Sequence, residues 1–379
     1  MTSRMTTWPA AAALWALAYG LLALYWSAGG AGFPFGAADP DPGIDKGMSI
    51  LGGAHQASAA PVIAVCAMAA TVLAGLLAVR TWPGRAGAAL EAIAWAVALV
   101  LGIVLPDYRP LVAVGHLPVL LAGKPFGWPE DVTIASQVPW PVVNQFICIL
   151  GGILFAVAAL AHRRTRTGAC AACGHSGRDH DPARWGAVAV WIAAGVPVLY
   201  ATTRWAWALG VPFGFSAAEL RQMDQELPGI WWVGAAMGSM GLIGSVLTVG
   251  LIRPWGEAFP RWIPVLRGRR VPVALAVVPA MAVAMLVTSA GLMFARALYV
   301  NPSMGNWAAM GPSLLWPVWG AALAVAAVAY RLRRQTPCAR CGDSQSGRGT
   351  APHLPLSSGA RAASHNPASA HPGHARHRP

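Results

Sequence analysis

Eight long apolar stretches constrain this chain most, at roughly 9–28, 57–79, 87–105, 138–161, 185–206, 229–252, 271–295 and 312–330. Each is near the ~20 residues that a helix needs to cross the hydrocarbon core of a bilayer. There, every backbone amide and carbonyl must find its partner within the protein, so only helices and closed β-barrels can span. The stretches are continuous in Ala, Leu, Val and Gly and lack the apolar/polar alternation of a barrel strand. They predict helices. Only 11% of the residues are charged, against about 25% in soluble domains, too few to coat a water-facing globule of this size. The expected fold class is an all-α membrane protein with eight transmembrane helices.

The net charge of +13 raises the possibility of a nucleic-acid partner, and its distribution excludes that reading. Lys46, Arg109, Lys124, Arg204, Arg221 and Arg296 fall on one side of the spans, leaving 21 of the 27 basic residues on the other with both termini. An arginine excess of this kind marks the cytoplasmic side. Acidic residues such as Asp39, Asp107, Glu130, Glu219 and Asp224 gather on the opposite face. The basic excess is thus a topology signal, and the partner it implies is the lipid bilayer. One segment, Leu111 to Gly123, is apolar but short and interrupted by Gly115 and Pro118. Counted as a span it would turn Arg163–Arg166 outward, so a re-entrant or interfacial piece is expected on the outer face.

The two halves of the chain resemble each other in order. "FPFG" at 33–36 and "VPFG" at 211–214 follow the first and fifth stretches, and "VLAGLLAVRTW" at 72–82 and "VLTVGLIRPW" at 246–255 end the second and sixth. "AVAALAHRRTRTGACAACG" at 156–174 matches "AVAAVAYRLRRQTPCARCG" at 324–342 without a gap. Two four-helix transmembrane repeats follow, 1–174 and 175–342, each ending in CxxCG. Four is an even number, so the two are inserted in the same orientation. The first stretch has the look of a secretory signal segment, but its counterpart is internal, so it is expected to be retained as a helix. Residues 343–379 are rich in Ser, Pro, Ala, Gly, His and Arg without apolar periodicity, which predicts a disordered basic cytoplasmic tail. Its His353, His365, His371, His374 and His377 offer a weak site for a divalent metal, or simply a soluble tail.

Each CxxCG follows a basic helix end. On the cytoplasmic side thiols stay reduced, so structural disulfides are not expected. Four thiolates make a tetrahedral zinc site, and the duplication supplies them as Cys170, Cys173, Cys338 and Cys341. If the fourth and eighth helices approach the pseudo-twofold axis, the two knuckles share one zinc. A redox dithiol is the alternative, although the motif sits at a helix C-terminus, the wrong end of the dipole for stabilising a thiolate. A third reading is a pair of exposed thiols without a ligand. A fourth is a local site of Cys170, Cys173, His175 and His180, whose histidines have no counterpart in the second copy. Cys66 and Cys148 are expected as small buried core residues.

Asn144 and Gln145 lie within a span and are expected to hydrogen-bond between helices. Glu91 lies near the cytoplasmic start of the third span, either as a functional carboxylate or as one that reaches the interface. Gly234 and Gly238, in GxxxG spacing, predict a close helix contact, and Phe215 to Trp232 predicts a short outer amphipathic helix. There is no HExxH, Walker A, GxSxG or dinucleotide fingerprint.

"ALYWSAGGAGFPFG" at 23–36 and "RPWGEAFPRWIPVLRGRRVP" at 253–272 resemble uncharacterised multipass membrane proteins of high-GC actinobacteria. The first also resembles the Trp-x-x-Gly-Gly stretch of a small four-span family of unknown function. The use of 25 Arg against two Lys fits such a source. The resemblance implies a bacterial plasma membrane protein and duplication, without catalytic residues. The expectation is a non-enzymatic, transporter-like or scaffold bundle with a structural zinc; the alternative is a membrane redox sensor or thiol oxidoreductase. A small-molecule or protein partner is left open.

Overall fold

The architecture comes from a computed structural model, in which residues 3–39, 49–123, 125, 138–170, 182–259, 266–302 and 306–334 are described. Eleven helices form among them: α1 (Ser3–Ser27), α2 (Gln56–Val79), α3 (Gly84–Leu99), α4 (Arg109–Gly123), α5 (Trp140–Arg166), α6 (Pro182–Ala208), α7 (Ala217–Glu226), α8 (Ile230–Gly250), α9 (Val273–Val300), α10 (Trp307–Leu314) and α11 (Trp316–Arg333). Eight spans are long and apolar enough to cross a membrane, the third extending α3 to Val104 and the eighth joining α10 to α11. Their outward faces carry Val62, Val65, Val72, Val188, Trp191, Val246 and Val278, all largely exposed. Such surface is stable against lipid and not against water. The fold is an all-α membrane fold.

Helix ends follow local chemistry. Proline suits the first turn, where its missing N–H is not needed, and α5 opens with Pro139 as cap and Pro141 inside the first turn. It closes on Arg163, Arg164 and Arg166, cations that complement the negative end of the helix dipole. The expected outer helix is α7, started by a capping box in which Ser216 and Glu219 bond each other's backbone amides. There the Ser216 backbone N–H, followed by its side chain, holds the Glu219 carboxyl below the usual range.

Small residues set the helix packing. A Cβ on Gly238 would stand 3.1 Å from Ala201 Cα, so α8 lies directly against α6. On α11, Gly320 faces Ala284 and Thr288 of α9 in the same manner. In the first half α1 packs on α2 and α5, and α3 packs on α5. The second half packs in the same order, α6 on α8 and α11, and α9 on α11. One core joins Ala16, Ala74, Ala94, Ala98 and Phe155; the other joins Val190, Leu251, Ala284, Ala326 and Tyr330.

Between the halves, the third span meets α9. The approach of the fourth and eighth spans on which a shared metal would depend involves the segments after α5 and α11, which lie outside the described residues. The third span winds into a π-turn at Val100–Val104, where the Leu105 amide reaches back to Val100 O at 2.9 Å. Gly102 in that turn leaves room for Gly152 of α5 on one side and the Met285 sulfur of α9 on the other. The eighth span is also interrupted, at Leu315 between Pro312 and Pro317, since proline breaks the amide ladder. Cys66 faces outward, whereas Cys148 is buried. The expected core position therefore holds for Cys148 and not for Cys66, which lies on the lipid-facing side of α2.

Candidate functional site at the helical seam

Helix α5 positions the first of the cysteines. Gly168 adopts φ +65°, and the Ala169 amide closes on Arg164 O at 3.0 Å, a left-handed glycine stop. Cys170 follows it, half-buried. Cys173, Cys338 and Cys341 lie outside the described residues, as do His175, His180 and the tail histidines. Among the described residues, no group of three or more metal-ligating side chains gathers.

Just before that stop, the same helix end is clasped to the third span. Glu91 is buried within the protein. Its carboxylate accepts from Arg166 Nε at 2.8 Å and Nη2 at 2.9 Å, and lies 3.0 Å from His162 Nδ1. The Trp82 amide donates to His162 Nε2 at 3.3 Å. An accepting Nε2 carries no proton, so Nδ1 carries it and donates to Glu91. At the corresponding end of α11, Tyr330 donates to Gly256 O at 2.9 Å, and Arg334 donates to Glu257 O and Val271 O. Arg334 Nη1 also lies 3.6 Å from the Glu257 carboxylate.

The strongest polar cluster lies at the opposite end of the third span. Chain direction changes at Pro106, and α4 begins at Arg109. Asp107, Arg109 and Gln145 are all nearly inaccessible to solvent. Arg109 grips Asp107 through Nε at 3.0 Å and Nη2 at 2.8 Å, while its Nη1 reaches Asp39 at 2.8 Å. Gln145 donates to Asp107 Oδ2 at 2.9 Å and accepts from the Asp107 amide at 3.1 Å. Burial works against the Arg109 charge, but Asp107 and Asp39 outweigh it and hold the guanidinium above its usual range. Ser289 of α9 closes the seam by donating to Pro106 O at 2.5 Å. Beside Gln145, Asn144 accepts from the Tyr19 hydroxyl at 3.0 Å.

No family model, curated protein or solved structure matches this chain. The seam therefore has to be read from its own chemistry. It joins two carboxylates, a side-chain amide and a guanidinium just beyond the end of the third span, beside α9. Such a cluster binds, orients or exchanges charge; it lacks a nucleophile set beside a base.

Asn144 and Gln145 bond between segments as expected, but Gln145 serves the charged cluster rather than a second helix. Asp107 and Arg109 read in the sequence as loop charges on the acidic face. The signal that marks them is a pair of opposite charges set between two prolines, Pro106 and Pro110. Arg296 reads likewise as a loop residue, because the seventh apolar stretch stops at 295; α9 runs to Val300 and takes it in.

Proposed function

We propose that this chain is a non-enzymatic, transporter-like bundle in the cytoplasmic membrane of a bacterium, built as two like-oriented four-helix repeats. The observation that carries this reading is the seam itself. The third span ends in a π-turn, and just beyond it buried Asp107, held by Arg109 and Gln145, stands beside α9, whose Ser289 bonds Pro106. Repeat-built transporters hold their substrates at the interface of the repeats, on interrupted helices, and buried charge at membrane depth is expensive to keep without a use. Duplication is supported by equivalent contacts. Tyr330 and Arg334, 168 positions after His162 and Arg166, also tie their helix end to a neighbouring segment, through backbone carbonyls where the first pair uses the Trp82 amide and the Glu91 carboxylate. Gly32 and Gly36 share their positive φ with Gly210 and Gly214 at the matching places of the second half.

The test needs no substrate. In a cysteine-free background, Ser289→Cys is expected to react with a membrane-impermeant thiol reagent added from either side of oriented vesicles, as alternating access requires. Reaction from the outer side alone is the result for a static scaffold.

The cysteine pairs supply the second part of the reading. Cys170, Cys173, Cys338 and Cys341 share one structural zinc on the cytoplasmic face and hold the repeats together. The helix clasps favour this, because each fixes a basic helix end from which a CxxCG segment departs. Since the third span and α9 form the seam, the segments after α5 and α11 must close the hook, bringing four sulfurs within ~2.3 Å of one metal. Purified protein is expected to hold about one zinc per chain, lost in Cys170→Ser. Metal-free protein with a titratable dithiol favours the redox alternative.

A further inference from the structure

A cavity of about 90 Å³ opens beside the Asp107 cluster, bounded by Ser49, Val104, Asp107, Ser289, Met293 and Arg296. That is well above the ~10–15 Å³ that a single water requires. Arg296 reaches it from α9, one turn before that helix ends at Val300. Its Nη1 is buried and has no hydrogen-bond partner among the described residues. A guanidinium cannot shed its proton to escape that situation, and a buried donor left unpaired is costly. An arginine near a helix end ordinarily snorkels into the water; this one turns a nitrogen inward.

Asp107 does not relieve it, although it lines the same cavity. Its Oδ1 accepts the Arg109 amide at 2.9 Å and Nε at 3.2 Å, and its Oδ2 accepts Nε, Nη2 and Gln145 Nε2. Both Asp107 oxygens are thus occupied by Arg109 and Gln145, and among the described residues none bonds the Arg296 Nη1 that faces the cavity. The Ser289 hydroxyl directs its proton to Pro106 O. Val104, Leu292 and Met293 add apolar walls.

We propose that this cavity binds a small anionic oxygen group, a carboxylate or a phosphate, with the Arg296 guanidinium as its principal ligand. A forked donor in a partly apolar pocket suits two oxygens held side by side. The inference names the ligand class of the seam site and rests on that seam being open to ligand. It is tested by binding alone, so a failure of transport does not decide it.

The measurement is thermal stability of the full chain in zwitterionic detergent, with acetate or inorganic phosphate replacing chloride at constant ionic strength. Either anion is expected to raise Tm saturably, with the apparent Kd at least about tenfold weaker in Arg296→Gln. A second arm separates free anion from lipid headgroup by comparing phosphatidylcholine nanodiscs with and without phosphatidylglycerol. Protection by phosphatidylglycerol alone, lost in Arg296→Gln, assigns the site to a headgroup phosphate and supports the proposal. Equal shifts in wild type and Arg296→Gln, or no shift with any of the three anions, overturn it. Should Arg296→Gln not fold, Arg296→Lys serves, because it keeps the charge without the fork. An unchanged apparent Kd in that variant overturns the proposal as well.

Discussion

Glu91 brings a negative charge into the third span, and its neighbours neutralise it on the spot. Arg166 holds both carboxylate oxygens and His162 donates to one of them, so the group is satisfied without water. Removing one member of such a set leaves the others buried and unmatched. Glu91→Ala is therefore expected to destabilise the protein by about 3 kcal/mol, read as a lower midpoint of denaturant unfolding. Glu91→Gln should lose less, because its amide oxygen still accepts from His162. An unchanged midpoint in Glu91→Ala contradicts the clasp. From the sequence, Glu91 could be recognised as a carboxylate needing an explanation. Its partners could not be seen, since they lie 71 and 75 positions away and only the packing of α3 on α5 brings them near. Asp107 and Arg109 are the converse case: two residues apart in the chain, they are legible as neighbours, yet their burial depends on α9 closing over Pro106.

Among the elements, the helices were the most legible part of the chain, because a bilayer permits few alternatives to a long apolar helix. Their interruptions were not, since a π-turn such as Val100–Val104 has no fixed sequence signal and arises here from packing around Gly102. The glycine pattern on α8 was partly legible. Gly238 meets Ala201 closely, whereas Gly234 only approaches the Arg204 side chain at 3.5 Å. Gly238→Leu should therefore cost roughly 1–3 kcal/mol through overpacking, seen as a lower unfolding midpoint. Gly244→Leu, with open space around its Cβ position, should leave the midpoint unchanged. Helix α7 makes a separate prediction about pH. Its Glu219 carboxyl is held below the ordinary value of 4.5 by Ser216. The capping box thus contributes at neutral pH and is lost as pH falls through that lowered value. A carboxyl ¹³C titration of Glu219 should have its midpoint below 4.5, and an Asn at position 216 should retain the cap, since Asn caps as well as Ser.

For the whole molecule, the account rests on two like-oriented halves that meet through the third span and α9. The matching order of helix packing, the paired clasps at Arg166 and Arg334 and the shared glycine conformations all support that symmetry. The sequence suggested the duplication through its ungapped cysteine-bearing segment, but did not mark which helices form the seam. Motif spacing records which segments correspond; it carries nothing about which of them lie nearest the axis. The cysteine hook itself falls largely outside the described residues, so chemical labelling is the direct approach to it. Single-cysteine variants retaining only Cys170 or only Cys338 should each be modified by an impermeant maleimide in inside-out vesicles and protected in right-side-out ones. Labelling of the two from opposite sides would contradict the like-oriented repeats, and with them the shared zinc.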